Sequence, residues 1–127
     1  MIAVDTSALM AILLNEPEAD ACITALATEA DLLISPGTVA EALIVSARRG
    51  VGEAMTRLIE ELGFEVVPVT AASARRMALA YAAWGKGNNP AALNFGDCFA
   101  YTLAKEAGCR LLYVGGDFSR TDIDRVP

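Results

Sequence analysis

Short apolar runs alternate with helical stretches along the whole chain, and that alternation limits the folds available to it. Residues 2–4, 32–34, 64–69 and 110–114 read as strands. Between them, residues 8–14, 18–30, 35–49, 53–62, 71–84 and 97–107 read as helices, with Thr6 or Ser7 capping the first and Thr70 the fifth. Ile23 and Leu26 are expected to point inward from the second helix. Gly50, Gly63 and Gly108 are natural stops, and residues 85–94, rich in Gly, Asn and Pro, read as a loop. Strand–helix alternation predicts one α/β domain over residues 1–127, with a central, mostly parallel sheet. Sites in such sheets lie beyond the carboxyl ends of the strands.

Four acidic residues interrupt this pattern where an acid is costly. Asp5 ends the run Ile2-Ala3-Val4. Glu41 sits within the apolar stretch Val39-Ala40-Glu41-Ala42-Leu43. Asp97 breaks Phe95-Gly96-Asp97-Cys98-Phe99, and Asp117 closes the turn after the last strand. A buried carboxylate costs several kcal/mol unless it is paired or holds a metal. No neighbouring Lys or Arg in the sequence offers a pair. Asp5, Glu41 and Asp117 share one rim of the sheet; Asp97 joins them if its helix starts there. Gathered acids repel one another, and a hard divalent cation relieves the repulsion. The pattern points to a metal-dependent enzyme acting on phosphates. Taken singly, each acid also has a plainer reading. Asp5 and Asp97 could be caps, Glu41 a first-turn residue facing solvent, and Asp117 part of a Gly-Gly-Asp turn.

Composition narrows the chemistry. The chain has no histidine, which removes histidine-based triads, histidine acid–base ribonuclease chemistry and imidazole metal sites. A metal here would take oxygen ligands, so Mg²⁺ or Mn²⁺ is expected rather than Zn²⁺. Cys22, Cys98 and Cys109 are odd in number and lack C-x-x-C spacing, as expected of reduced residues in a cytoplasmic protein. No signal peptide or membrane-spanning run is expected. The net charge of −6 is unusual for a protein that binds nucleic acid. Bound metal would offset part of it, and Arg48-Arg49 and Arg75-Arg76 concentrate positive charge, although such pairs also suit a solvated helix face. Asp122 and Asp124 read as a solvated C-terminal segment, and Tyr81 and Trp84 as core or interface aromatics.

Four segments carry a family resemblance. They are Met1-Ile2-Ala3-Val4-Asp5-Thr6-Ser7-Ala8-Leu9, Val39-Ala40-Glu41, Leu93-Asn94-Phe95-Gly96-Asp97-Cys98-Phe99-Ala100-Tyr101 with Ala104-Lys105, and Leu112-Tyr113-Val114-Gly115-Gly116-Asp117-Phe118. Together they resemble the motifs of PIN-domain ribonucleases of the VapC toxin kind. Gly116 departs from the pattern, since relatives often carry a polar or basic residue there. The resemblance implies a three-layer α/β/α domain that cuts single-stranded RNA with Mg²⁺ or Mn²⁺. It also implies a homodimer and a cognate antitoxin. In that reading Asp5 and Asp97 are the principal metal ligands, Glu41 and Asp117 complete the ring, and Thr6 and Ser7 orient Asp5. A PIN-like binding module without catalysis is the alternative. A phosphatase or response-regulator-like domain fits less well, because Lys105 falls within a helix.

Overall fold

The computed structural model describes residues 1–126. Its elements run β1 (Ile2–Val4), α1 (Thr6–Leu13), α2 (Ala19–Thr28), β2 (Leu32–Ile34), α3 (Pro36–Arg48), α4 (Gly52–Leu62), β3 (Glu65–Val66), α5 (Ala71–Trp84), α6 (Phe95–Ala107) and β4 (Arg110–Leu112). All strand pairings are parallel, in the order β3-β2-β1-β4. Successive crossovers step from β1 to β2 to β3, and the chain then returns across β1 to place β4 on its other side. The order therefore reverses between β1 and β4, where open α/β sheets form their sites.

The period-two alternation of a strand builds both layers around this sheet. Ile2, Val4, Leu32, Ile34 and Leu112 face α1, α2 and α4, packing with Leu9, Cys22 and Met55. Ala3, Leu33, Leu111 and Tyr113 face the opposite way, onto Ala100, Leu103 and Ala104 of α6 and Ala80 of α5. Fully burying a side chain of the Ile or Leu class stabilises by about 1.5–3 kcal/mol. Ile2, Leu9, Ile34, Met55, Leu111 and Leu112 are all at most 1% exposed. Helices on both faces of a parallel sheet make the three-layer α/β/α architecture.

Several boundaries move from their sequence expectation, each for a local reason. The third strand shrinks to Glu65–Val66, with one further bond from Val67 N–H to the Ile34 carbonyl (3.0 Å). Pro68, which has no N–H to donate, follows immediately. The last strand stops at Leu112 because the next inward donor, Val114 N–H, bonds the Ser7 hydroxyl instead (3.0 Å). Ile23 is 49% exposed rather than inward, since α2 buries the face of Ala19, Cys22 and Leu26. Helix α1 begins at Thr6 with Asp5 as its N-cap, and α6 begins at Phe95 with Asn94 as its N-cap. Cys22 and Cys98 are buried, Cys109 is partly buried, and all three are free. No helix among the described residues is long and apolar enough to cross a membrane.

Candidate metal centre

Asp5 leaves β1 at the sheet's carboxyl edge and is 3% exposed. Its two oxygens have different fates. Oδ2 caps α1, accepting from the Ser7 N–H (3.0 Å) and the Ser7 hydroxyl (2.7 Å). Oδ1 is buried and has no hydrogen-bond partner. The plain reading of Asp5 as a cap and the reading of it as a ligand are thus compatible, one oxygen for each. Burial is the main cause that pushes its carboxyl from 3.8 to about 6. The Ser7 bonds pull it down and the Glu41 charge pushes it further up.

Asp97 stands at the third position of α6 and is 6% exposed. Its Oδ2 accepts from the Asn94 N–H (3.0 Å), and the Asn94 side chain accepts from the Asp97 N–H (2.8 Å). This reciprocal capping box fixes both the start of α6 and the position of the carboxylate. Burial pushes Asp97 up to about 7, the Asn94 N–H opposes it, and the charges of Asp5, Asp117 and Glu41 add to it. Asp97 therefore lies within electrostatic reach of all three other acids. The four come from four separate segments of the chain.

Glu41 projects from α3, partly buried, and the Thr6 hydroxyl donates to its Oε1 (2.7 Å). Thr6 was expected to steady Asp5; its hydroxyl instead ties Glu41 to α1, leaving Ser7 as the residue that holds the Asp5 carboxylate. Ser7 also accepts from Val114 N–H, so it clips the end of β4 to the start of α1. Gly96 was not singled out by its sequence. A Cβ built there would collide with the Glu41 carboxylate, so the first turn of α6 and Glu41 approach closely only because residue 96 is glycine. The Asn-x-x-Asp spacing of 94 and 97 was the signal that could have placed the helix start. Asp117 is exposed, on the turn that follows Gly115 and Gly116. Phe118, 1% exposed and packed against Tyr113 with tilted rings 5.1 Å apart, pins that turn to the core.

None of the four acids forms an ion pair with a Lys or Arg among the described residues. Among the described residues no group of three or more acidic or thiol side chains is arranged to hold a metal ion. One oxygen each of Asp5 and Asp97 is committed to a helix start. The donor set is all oxygen, and the orphaned Asp5 Oδ1 needs a positive partner. These residues fit a hard divalent cation. Asp122 lies outside the cluster: it accepts from the Tyr101 hydroxyl (2.5 Å) and Lys105 (3.0 Å), which lower its carboxyl. Asp124 is exposed, and its carbonyl accepts from Leu111 N–H (2.9 Å). Trp84 is partly buried against α6, its indole N–H on the Tyr101 hydroxyl (3.0 Å), whereas Tyr81 is exposed. Of the arginine pairs, Arg76 meets Glu106 (3.4 Å) and Arg48 and Arg49 are exposed.

Comparison with known proteins agrees with this architecture. Residues 2–124 match the family described as PIN domain. A Mycobacterium tuberculosis protein named Ribonuclease VapC30 is 40% identical over 126 residues, covering 97% of this chain and 96% of its own. The crystal structure of Mycobacterium tuberculosis VapC20, titled a Sarcin-Ricin loop cleaving toxin, superposes with a TM-score of 0.81 at 18% identity, covering 99% of this chain and 98% of that one. A toxin–antitoxin complex from Klebsiella pneumoniae gives 0.69 at 18% identity, covering 96% and 93%. The chain belongs to the PIN-domain family, among the proteins named VapC ribonucleases.

Proposed function

We propose that this PIN-domain chain is an endoribonuclease that requires Mg²⁺ or Mn²⁺ and acts as the toxin of a toxin–antitoxin pair in the cytoplasm. The observation that carries the reading is the unpaid charge at the sheet edge. Asp97 feels the charges of Asp5, Glu41 and Asp117, none of the four pairs with a cationic side chain among the described residues, burial pushes Asp5 to about 6 and Asp97 to about 7, and Asp5 keeps a buried oxygen without a partner. The ribonuclease names of relatives at 40% identity supply the reaction class. The binding-module alternative is weaker, because all four acids are present and a fold with no use for them would gain stability by losing them.

Asp5 and Asp97 would hold the cation, with Glu41 beside them and Asp117 on the exposed side. When bound, a divalent cation lowers the pKa of a water it contacts and offsets charge on a phosphodiester. The chain's own part is positioning. Ser7 keeps Asp5 oriented, Thr6 keeps Glu41 over the first turn of α6, and the Asn94 box fixes Asp97. Glu41, partly buried, would be a third ligand or would help to deprotonate a water held by the cation. The open side at Asp117 is where an RNA strand would approach.

An antitoxin partner is supported by the fold shared with a toxin–antitoxin complex. The acidic rim offers such a partner a place for an Arg or Lys in the position of the cation's charge. A homodimer is supported by an apolar groove of about 470 Å³ beside the site, lined by Val69, Met77, Tyr81, Phe95 and Phe99. The deciding experiment incubates the purified protein with defined RNAs in Mg²⁺, Mn²⁺ or excess chelator, alongside Asp97→Asn. Cleavage that needs metal and disappears in the variant supports the reading; cleavage retained in Asp97→Asn or in chelator removes the metal centre from it.

A further inference from the structure

Asp117 is exposed on a turn entered through two glycines, yet its charge reaches Asp97. Gly115 has a φ of 95°, and a Cβ at Gly116 would meet nothing closer than the Ser119 hydroxyl oxygen at 3.9 Å. The entry side therefore does little to set the direction of the turn. Beyond Asp117 the chain is held closely. The Ser119 N–H (3.2 Å) and hydroxyl (2.6 Å) donate to the Gly116 carbonyl, and the Thr121 N–H (3.1 Å) and hydroxyl (2.7 Å) donate to the Phe118 carbonyl. Residues 116–121 thus form one bonded unit. Phe118 anchors that unit in the core at a single point. One anchored ring leaves the unit free to swing about it, so a second attachment is needed to aim Asp117.

That attachment is Asp122. Its carboxylate accepts from the Tyr101 hydroxyl (2.5 Å) and from Lys105 (3.0 Å), both on α6. Tyr101 and Lys105 stand four and eight residues beyond Asp97, along one face of the same helix. Helix α6 therefore presents Asp97 from its first turn and grips the far end of the Asp117 turn with its next two. The Tyr101 bond is the stronger grip, because a hydroxyl donating to a carboxylate is charge-assisted and this one is partly buried. Lys105 and Asp122 form an exposed pair, which contributes little. Tyr101 is itself held in place, its oxygen accepting from the Trp84 indole N–H (3.0 Å). Arg120 ties the same unit to the loop before α6, donating to the Pro90 carbonyl (3.3 Å).

We propose that Tyr101 and Asp122 are positioning residues of the metal centre: their hydrogen bond straps residues 116–122 to α6 and holds Asp117 in register with Asp97. This role rests on the metal-dependent reading of the four acids. The strap touches neither cation nor RNA; it sets how firmly Asp117 contributes to holding the cation.

Mn²⁺ binding to the metal-free protein, followed by titration calorimetry without RNA, tests the strap directly. Asp122→Ala, at a side chain 51% exposed, removes the acceptor and leaves the core intact. Asp122→Ala and Tyr101→Phe should each raise the Kd for Mn²⁺ about three- to tenfold, the scale of coupling within one hydrogen-bond network. Asp122→Asn keeps an oxygen for the Tyr101 hydroxyl and should bind close to wild type. Trp84→Phe takes the indole N–H from Tyr101 but leaves the strap, and should also bind as wild type does. In an Asp117→Asn background, Asp122→Ala should have no further effect. In RNA cleavage, Asp122→Ala should raise the half-saturating Mn²⁺ by the same factor and leave KM for RNA unchanged. Unaltered Mn²⁺ affinity in both Asp122→Ala and Tyr101→Phe overturns the strap. So does an Asp122→Asn as weak as Asp122→Ala, which would make Asp122 act by its charge, and so does a full effect of Asp122→Ala beside Asp117→Asn. A wild type that binds no Mn²⁺ overturns the metal centre and the strap's role with it. Binding that follows the variants as expected, in a protein that cuts no RNA, leaves the strap standing and overturns only the ribonuclease reading.

Discussion

Replacing Asp5 with Asn should make the metal-free protein more stable, and only at pH values where Asp5 is charged. Burial raises the folded-state pKa from 3.8 to about 6. Because the folded value lies above the unfolded one, the folded state binds the proton more tightly. Stability is therefore highest below about 3.8, falls as the pH rises, and reaches its low plateau above about 6. A rise of that size is about 3 kcal/mol at 1.36 kcal/mol per pH unit. Asn keeps a carbonyl oxygen for the Ser7 N–H and hydroxyl, and it places an amide where the orphaned Oδ1 now sits among carboxylates. It also removes one of the charges that raise Asp97. In chelator at about pH 8 the variant should gain up to about 3 kcal/mol, roughly 10 °C in Tm for a domain of this size. At about pH 4 the gain should fall below about 1 kcal/mol, because wild-type Asp5 is then mostly neutral when folded. Urea denaturation followed by circular dichroism at both pH values, with unchanged m-values, measures it. A variant less stable than wild type at about pH 8, or a gain equal at both pH values, refutes the claim that Asp5 is an uncompensated buried charge.

Millimolar Mn²⁺ or Mg²⁺ should stabilise the wild type, by about 2.7 kcal/mol if the free ion is at a hundred times its Kd, with a matching rise in Tm, and should do much less for Asp5→Asn; an equal shift in both would place the ion elsewhere. Asp117→Asn should slow cleavage partially, with recovery at higher metal, because Asp117 is exposed on a turn after two glycines while Asp5 and Asp97 are held by caps. A metal titration in which Asp117→Asn stays as inactive as Asp5→Asn would place it in the essential set. Gly96→Ala should destabilise by about 1–3 kcal/mol, the range for overpacking, and depress kcat, since its Cβ displaces the Glu41 carboxylate. Wild-type stability and kcat in that variant would show that Glu41 moves aside freely.

The sequence alone determined the order of elements, the parallel sheet and the identity of the unusual acids. Those features are local: an apolar run, a cap, a glycine stop, a charge where charge is costly. It also placed Asp5 directly after its apolar run and Asp117 on the turn beyond the last one. Whether Asp97 joined them was not legible, because that depended on where α6 starts. The start is set by the reciprocal bonds of Asn94 and Asp97, and the approach to Glu41 by the missing Cβ at Gly96. Packing likewise decided that Ile23 faces solvent, that Asp122 serves Tyr101 and Lys105, and that the Thr6 hydroxyl holds Glu41 rather than Asp5. The strand order β3-β2-β1-β4 decided most of all. By setting β4 against β1 it brings residues more than a hundred positions apart, Ser7 and Val114, within a hydrogen bond. Periodicity along a chain reports which residues are buried; which distant residues share that burial is fixed only when the crossovers close.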